Sequence, residues 1–300
     1  MEPNFQASSV TREACQMNLH PGRNLFVVLG LALVPSVLLA PMASGQALAP
    51  VEARKEAALN TNGTGLSGMI GIGVDSGTAY AGSDTRESGA APVLYGMYHD
   101  LFYLTPGEIG VYWPVNGSDW RIKAGLGYEP GRDPGDHAAL ANLNTIENTA
   151  VFAGGLYRQF GTSAIGVGFE ADIGGEGKGV VTFIGGSYDW HFADNAWTLT
   201  AYGDISFADE EHLRTEFGIT ENEALASLAD IDPQYRYTAY TPSAGLKSFG
   251  IGAGARYRFA ENWILLGNVS GEFFGSEATS SPLVREDYEV EAFLGIAYTF

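Results

Sequence analysis

Charged side chains recur at every second position of several otherwise apolar segments of this chain. In residues 119–129, Trp120 and Ile122 alternate with Arg121 and Lys123. This alternation predicts a strand with one apolar face and one polar face. Applied to every such segment, it predicts a shared inner face that carries Arg121, Lys123, Glu170, Asp172, Asp189, Asp204, Arg256, Arg258, Glu272, Glu289 and Glu291. Charges held on one inner face can pair with each other, line a water-filled pore or attract cations.

Three of these carboxylates, Glu272, Glu289 and Glu291, come close together if the segment 275–286 joins neighbouring strands. Like charges at short range require a basic partner, a bound cation or a raised pKa. Arg132 is the candidate for such a basic partner. If the strands close into a small barrel, its interior is filled by side chains. The inner-face charges, which are of both signs, are then expected to pair across the lumen as a polar plug. A narrow solute pore is the alternative.

The residues do not predict a catalytic site. The histidines that follow the amino-terminal region are His99, His137, His191 and His212. None has a nucleophile at a recognisable spacing. Asp133, Asp136 and His137 share one loop and could attract a cation, but acidic loops are ordinary on a surface of this charge. We therefore expect neither catalysis, nor a metal site, nor a cofactor.

The alternating segments are separated by turns, without the helical crossovers of a parallel sheet. Eleven are recognisable, whereas single-chain bacterial barrels have an even number of strands. We predict an all-β fold, an antiparallel transmembrane β-barrel of the bacterial outer membrane formed by residues 66–300. Twelve strands are expected and ten are the alternative, with the miscounted strand near Pro106 or in residues 235–244.

The last strand indicates where such a barrel would lie. Residues 287–300 carry apolar side chains at every even position, over a length that suits a tilted membrane strand. The strand ends with Tyr298 and Phe300, which resembles the carboxy-terminal insertion signal of outer-membrane barrels. Aromatic residues at the other strand ends fit the girdles of a membrane barrel.

The amino-terminal residues predict export. Residues 25–40 are apolar, follow His20 and Arg23, and precede a run of small residues, as in a secretory signal peptide. We assign residues 1–45 to this signal, with cleavage near Gly45 or Ala47 and with Met17 as an alternative start. Residues 46–65 are expected to form a periplasmic segment before the barrel.

Charge and cysteine content exclude several classes of protein. The net charge of −19 argues against a nucleic-acid partner, because phosphate binding requires a basic surface. The single cysteine, Cys15, lies in the predicted signal peptide, so the exported part cannot form disulfides. No later segment reaches the 18 continuous apolar residues of a helical membrane span.

Several short motifs follow one another along the chain in a fixed order. Their residues are Tyr80, Gly82, Ser83, Gly131, Arg132, Phe217, Gly218, Ser281 and Pro282. In order and spacing these motifs resemble the MltA-interacting protein (MipA/OmpV) family along nearly the whole exported chain. Thr78 and Ala79 stand where the family usually has a proline.

The resemblance implies a non-enzymatic protein embedded in outer-membrane lipid. One member of the family is described as a scaffold that joins a murein-degrading transglycosylase to a murein synthase, which would make such enzymes the partners of this chain. Other members look like adhesins or envelope-stress proteins. A fold hosts many functions, so a solute channel and an adhesin remain alternatives to the expected scaffold.

Overall fold

The computed structural model describes residues 65–300, which form a closed barrel of antiparallel strands. The predicted signal peptide and nearly all of the predicted segment 46–65 lie outside the described residues. Each strand pairs with its neighbours in the chain, and β1 pairs with β12 to close the ring. The strands are β1 (Leu66–Thr78), β2 (Arg86–Tyr98), β3 (Phe102–Leu104), β4 (Glu108–Pro114), β5 (Trp120–Glu129), β6 (Thr149–Phe160), β7 (Ser163–Asp172), β8 (Val180–Phe192), β9 (Trp197–Ala208), β10 (Gly245–Ala260), β11 (Trp263–Phe274) and β12 (Tyr288–Thr299).

The predicted strand number of twelve is confirmed, and the alternative of ten is wrong. The uncounted strand lies at Pro106, where a turn divides one apparent strand into β3 and β4. The Thr105 N–H donates to the Glu108 carbonyl across this turn at 2.8 Å. The other suspected region, residues 235–244, contributes only a single bridge between Tyr240 and Ile219.

Strand β2 begins at Arg86 and holds Pro92 in its middle. Gly68 and Phe300 exchange both backbone hydrogen bonds, so the even residues of β1 bond to β12 and the odd ones to β2. Pro92 is paired with Ile72, an even residue, and therefore directs its nitrogen away from β1 and toward β3. On that side the pairing of β2 with β3 covers only Gly96 to Tyr98 and does not reach Pro92. A proline is tolerated there because no ladder hydrogen bond is lost.

The outward face of the barrel is a continuous apolar belt. On β1, Ile70, Ile72 and Val74 expose 56%, 60% and 59% of their surface, and Gly71 and Gly73 alternate with them on the inner face. Exposed aromatic side chains border the belt at both ends, as in membrane barrels. They include Tyr98, Trp113, Phe160, Trp197, Trp263 and Tyr298 at one end and Tyr128, Phe207, Phe249, Phe273 and Tyr288 at the other.

The two ends of the barrel differ in their connections. The end that holds Leu66 and Thr299 carries only short turns, and we call it the turn end. The opposite end, the loop end, carries the long connections 79–85, 130–148, 209–244 and 275–287. The loops contain three short α-helices, α1 (Glu210–Phe217), α2 (Glu221–Ser227) and α3 (Ser276–Thr279), and 3₁₀ helices at Ala138–Leu140 and Pro233–Tyr235. Among residues 65–300, no helix has the length and apolar character that a membrane span requires.

The seam between β1 and β12 closes tightly at the turn end. Phe300 and Gly68 exchange two backbone hydrogen bonds of 3.0 Å, and the Asn262 side chain donates to the Thr299 carbonyl at 2.8 Å. A Cβ atom on Gly71 would lie 2.0 Å from the Ile296 carbonyl oxygen, so this close approach of the two strands requires glycine.

We predict that deleting Phe300 lowers the stability of the barrel and the amount that assembles, because the seam loses two backbone hydrogen bonds at about 1 kcal/mol each. Thermal unfolding, followed by the heat-dependent shift in gel mobility, measures the effect. The variant Phe300→Ala keeps the backbone bonds and should melt close to the wild type. Equal melting of the deletion variant and the wild type would contradict this role of the seam.

Candidate functional site

A cluster of large buried side chains occupies the barrel interior, and we call it the aromatic plug. Nine strands contribute to it, and Tyr202 of β9 packs against it. Because its members come from nearly the whole circumference, the cluster crosses the lumen. The plug consists of Met69, Tyr95, Met97, Tyr103, Tyr112, Tyr157, Ala164, Phe183, Ile264 and Ala297, all of them buried.

Ring packing and one buried ion pair organise the plug. The ring centroids of Tyr103 and Tyr112 lie 4.7 Å apart, and Tyr157 meets Tyr112 edge-on at 6.2 Å. The Lys123 ammonium lies 2.9 Å from the Glu108 carboxylate, which also accepts a hydrogen bond from the Tyr103 hydroxyl. The expectation of a plug made of charges paired across the lumen was therefore wrong. Tyrosine and methionine fill the space, because these bulky residues also occupy inward positions.

The predicted inward charges near the turn end bond to nearby oxygen atoms. The partners in these contacts lie on a neighbouring strand or in a turn. The contacts are Arg121 to the Asp100 carbonyl (3.2 Å), Arg258 to the Glu261 carbonyl (3.0 Å), Arg256 to the Thr198 hydroxyl (2.7 Å) and Thr200 to the Asp189 carboxylate (2.8 Å).

An acidic row lies on the inner face near the loop end, formed by Asp204, Glu272 and Glu289. Glu272 pairs with Glu289 in the register of β11 and β12, and Gly250 separates Asp204 from Glu272. The ammonium of Lys247 lies 2.8 Å from the Glu272 carboxylate. Lys247 follows no simple alternation because the β9–β10 register shifts between Leu246 and Ser248.

The prediction that Arg132 neutralises this row was wrong, since its guanidinium donates to the Glu216 carbonyl at 2.8 Å. Glu291 follows the row on the same face of β12 and is half-buried. On β7, Glu170 is also half-buried, and Asp172 caps the next turn by accepting from the Thr149 hydroxyl at 2.5 Å and from the Gly174 N–H at 2.9 Å.

The long loops fold together over the loop end into what we call the loop cap, residues 79–85, 130–148, 209–244 and 275–287. Two clusters of buried side chains join these segments, one of them around Tyr80, Leu140 and Leu283. All the motif residues lie in the cap. The contacts between loops are Ser281 Oγ to the Phe217 carbonyl (2.6 Å), the Arg285 N–H to the Gly82 carbonyl (2.7 Å), the Tyr237 hydroxyl to the Ala139 carbonyl (2.9 Å) and the Tyr80 hydroxyl to the Leu283 carbonyl (3.4 Å).

Helix α1 anchors the cap to the barrel wall. Asp209 caps the helix by accepting from the His212 N–H at 2.8 Å, and its other oxygen accepts from the Val180 N–H of β8. Leu213 and Phe217 are almost fully buried against the wall and the neighbouring loop. Asp209 at the amino-terminal end of the helix therefore attaches it to β8. Leu213 and Phe217, four residues apart, lie on the same face of the helix and turn it toward the wall.

Two ionisable groups of α1 have shifted pKa values. Burial lowers the pKa of His212 below its ordinary 6.5, and its Nδ1 bonds to the Lys178 carbonyl at 2.9 Å. Burial would raise the pKa of Glu216, but the positive charges of Arg132 and Lys178 lower it below 4.5. The cap is therefore built around a neutral histidine and a charged glutamate.

The acidic loop that could attract a cation uses its side chains internally. Asp136 accepts from the Asp133 N–H at 2.8 Å, Asp133 accepts from the Gly135 N–H at 2.8 Å, and His137 accepts from the Ala139 N–H at 3.1 Å. Over the described range 65–300, no group of three or more His, Cys, Asp or Glu side chains is arranged to hold a metal ion.

A family model described as MltA-interacting protein MipA matches residues 70–300. The chain belongs to this family. No curated protein matches the chain. With the closed apolar barrel, family membership identifies an outer-membrane β-barrel, in which short turns face the periplasm and long loops face the exterior. The turn end is therefore the periplasmic end, and the loop cap faces outward.

Several solved outer-membrane proteins also align with the chain. The toluene transporter TodX of Pseudomonas putida is 8% identical, covers 84% of this chain and 93% of its own, and has a TM-score of 0.35. An outer-membrane channel from Pseudomonas putida F1 is 10% identical over 79% of this chain and 96% of its own, with a TM-score of 0.33. A porin refined at 1.8 Å is 11% identical over 78% and 99%, with a TM-score of 0.32. At these scores the likenesses carry no argument about function.

We predict that the loop cap loosens as the pH falls below about 6.5. His212 is neutral in the folded cap but takes up a proton in the unfolded state, so its contribution to stability is lost on acidification. The lowered pKa of Glu216 adds a further loss only below 4.5. Hydrogen exchange of residues 210–217, expressed as protection factors between about pH 8 and pH 5, measures the effect.

The matched variants are His212→Gln, which retains a hydrogen-bond donor, and His99→Gln at the exposed turn end. In His212→Gln the protection factors of residues 210–217 should change less between pH 8 and pH 5 than in the wild type. In His99→Gln they should change as in the wild type. The same pH dependence in His212→Gln as in the wild type would contradict the assignment.

Proposed function

We propose that this protein is a non-enzymatic scaffold of the outer membrane that holds murein-remodelling enzymes at the periplasmic face. The observation that carries the proposal is the aromatic plug, which occupies the lumen with buried side chains from nine strands. A filled lumen leaves the periplasmic rim as a surface for protein contacts. The family description, MltA-interacting protein, supports a murein enzyme as the partner.

The predicted segment 46–65 is longer than any of the short turns. It carries Arg54 and Lys55, which could contact acidic surfaces of a partner. The turns add little, because residues 193–195 are held in the left-handed conformation of a tight turn. We propose that this segment and the adjacent rim dock the partner.

The loop cap gives less support to an adhesin. Several of its acidic side chains serve internal contacts and are not available to a host surface. Asp209 caps α1, Glu210 pairs with Arg214, and Glu223 accepts from the Thr220 hydroxyl and the Asn144 N–H, both at 2.7 Å.

A solute channel is the second candidate, and one observation favours it. Asp204 is 3% exposed, and neither oxygen of its carboxylate has a hydrogen-bond partner within residues 65–300. Such a group beside Glu272 would attract a cation that entered the lumen. The plug would have to move before ions could pass.

If the protein is such a scaffold, we expect the purified, folded barrel to capture a lytic transglycosylase from a periplasmic extract. Deletion of residues 46–64 should reduce capture about tenfold, and the double variant Arg54→Gln/Lys55→Gln should reduce it less, since only the charges are removed. Quantitative mass spectrometry of the captured fraction measures both effects.

The two parts of the proposal fail separately. Undiminished capture by the truncated barrel would exclude the amino-terminal segment and leave the rim as the docking surface. Failure of the full-length protein to retain any murein hydrolase or synthase would exclude the scaffold itself.

A further inference from the structure

The outward face of the twelve strands is almost free of charge. On every described strand the charged side chains point inward, with two exceptions, Arg86 at the loop end of β2 and Arg158 at the turn end of β6. Arg158 lies between Leu156 and Phe160 in the lipid-facing row. A charged side chain in this belt is costly unless it reaches the polar boundary of the membrane. An arginine that lies at this boundary is therefore a candidate for a functional contact.

The side chain of Arg158 lies in an aromatic and polar cleft at the periplasmic boundary. Its guanidinium carbon is 5.8 Å from the ring centroid of Trp120 and 5.9 Å from that of Phe160. The cleft has a volume of about 500 Å³ and is lined by Gly117, Ser118, Asp119, Trp120 and Arg158. Trp120 is the strand partner of Arg158, so the position of the cleft follows from the β5–β6 register.

The guanidinium has hydrogen-bonding capacity to spare. Within residues 65–300, its one hydrogen bond is a long contact of 3.4 Å between Nη2 and the Asp119 carboxylate. Side chains in this pair are 43% and 68% exposed, so the ion pair itself contributes little stability. An arginine carries five N–H donors in a planar arrangement that suits a phosphate.

We propose that this cleft binds the headgroup of a phospholipid of the inner leaflet with a phosphoethanolamine head. The Arg158 guanidinium donates to the phosphate oxygens, and the Asp119 carboxylate receives the ammonium. The acyl chains lie along the exposed apolar side chains of Ile122 and Ile165, which flank the cleft on neighbouring strands. A basic and an acidic group held side by side favour a zwitterionic head over a purely anionic one.

Native mass spectrometry of the folded, full-length protein tests the site. The protein is released from vesicles that contain phosphatidylethanolamine and phosphatidylglycerol in equal amounts, and the retained lipids are counted. The wild type should retain phosphatidylethanolamine about five times more often than phosphatidylglycerol. Arg158→Gln should lower retention of both lipids about tenfold, because the phosphate loses its charged donor.

Two further variants separate the parts of the site. Asp119→Asn should abolish the preference for ethanolamine and leave phosphatidylglycerol bound, since only the partner of the ammonium is removed. Arg86→Gln, the other outward-facing arginine, is the matched control and should retain lipid like the wild type. Heat-dependent gel mobility confirms that each variant is folded.

Three results would overturn the proposal. These are equal retention by the wild type and Arg158→Gln, equal loss in Arg86→Gln and Arg158→Gln, and release of the lipid by an excess of inorganic phosphate. The last would mean that the cleft holds any free anion and does not recognise a lipid.

Discussion

A strand that crosses a bilayer cannot leave its backbone N–H and C=O groups unpaired, and this constraint governs the whole molecule. It is satisfied here by joining β1 to β12, so that the strands form a ring without an edge in the apolar belt. The glycine at position 71 permits the close contact of this seam. Once the ring is closed, the inward-facing side chains must pack in its interior.

The interior is filled in layers that follow from the alternation of the strands. Turn-end charges bond to local oxygen atoms, the aromatic plug comes next, and the acidic row lies beneath the loop cap. Tyrosine suits the plug because its ring fills volume while its hydroxyl can bond to a group such as Glu108. The same alternation that makes the outside apolar therefore makes the inside a packed core.

Much of this arrangement is predictable from the sequence, because a period of two encodes both strand and face. The strand number, the terminal strand and the pairing of Glu272 with Glu289 follow from that period and from the even number of strands. Features that break the period were not predictable. A register shift between β9 and β10 brings Lys247 to Glu272. Arg132 does not reach the acidic row but bonds to the Glu216 carbonyl, a contact between residues that are far apart in the chain. The plug was missed because its tyrosines and methionines are apolar enough to be assigned to the lipid face.

The aromatic plug closes the folded barrel. Single-channel recording of the purified protein in a planar bilayer tests this closure most directly, with the variant Tyr103→Ala/Tyr157→Ala as the comparison. We expect no conductance steps for the wild type and reproducible steps for the variant, because Tyr103 and Tyr157 both pack against Tyr112 within the plug. Stable steps in the wild type, with an ion selectivity that changes in Glu272→Gln and Glu291→Gln, would contradict it and favour the channel.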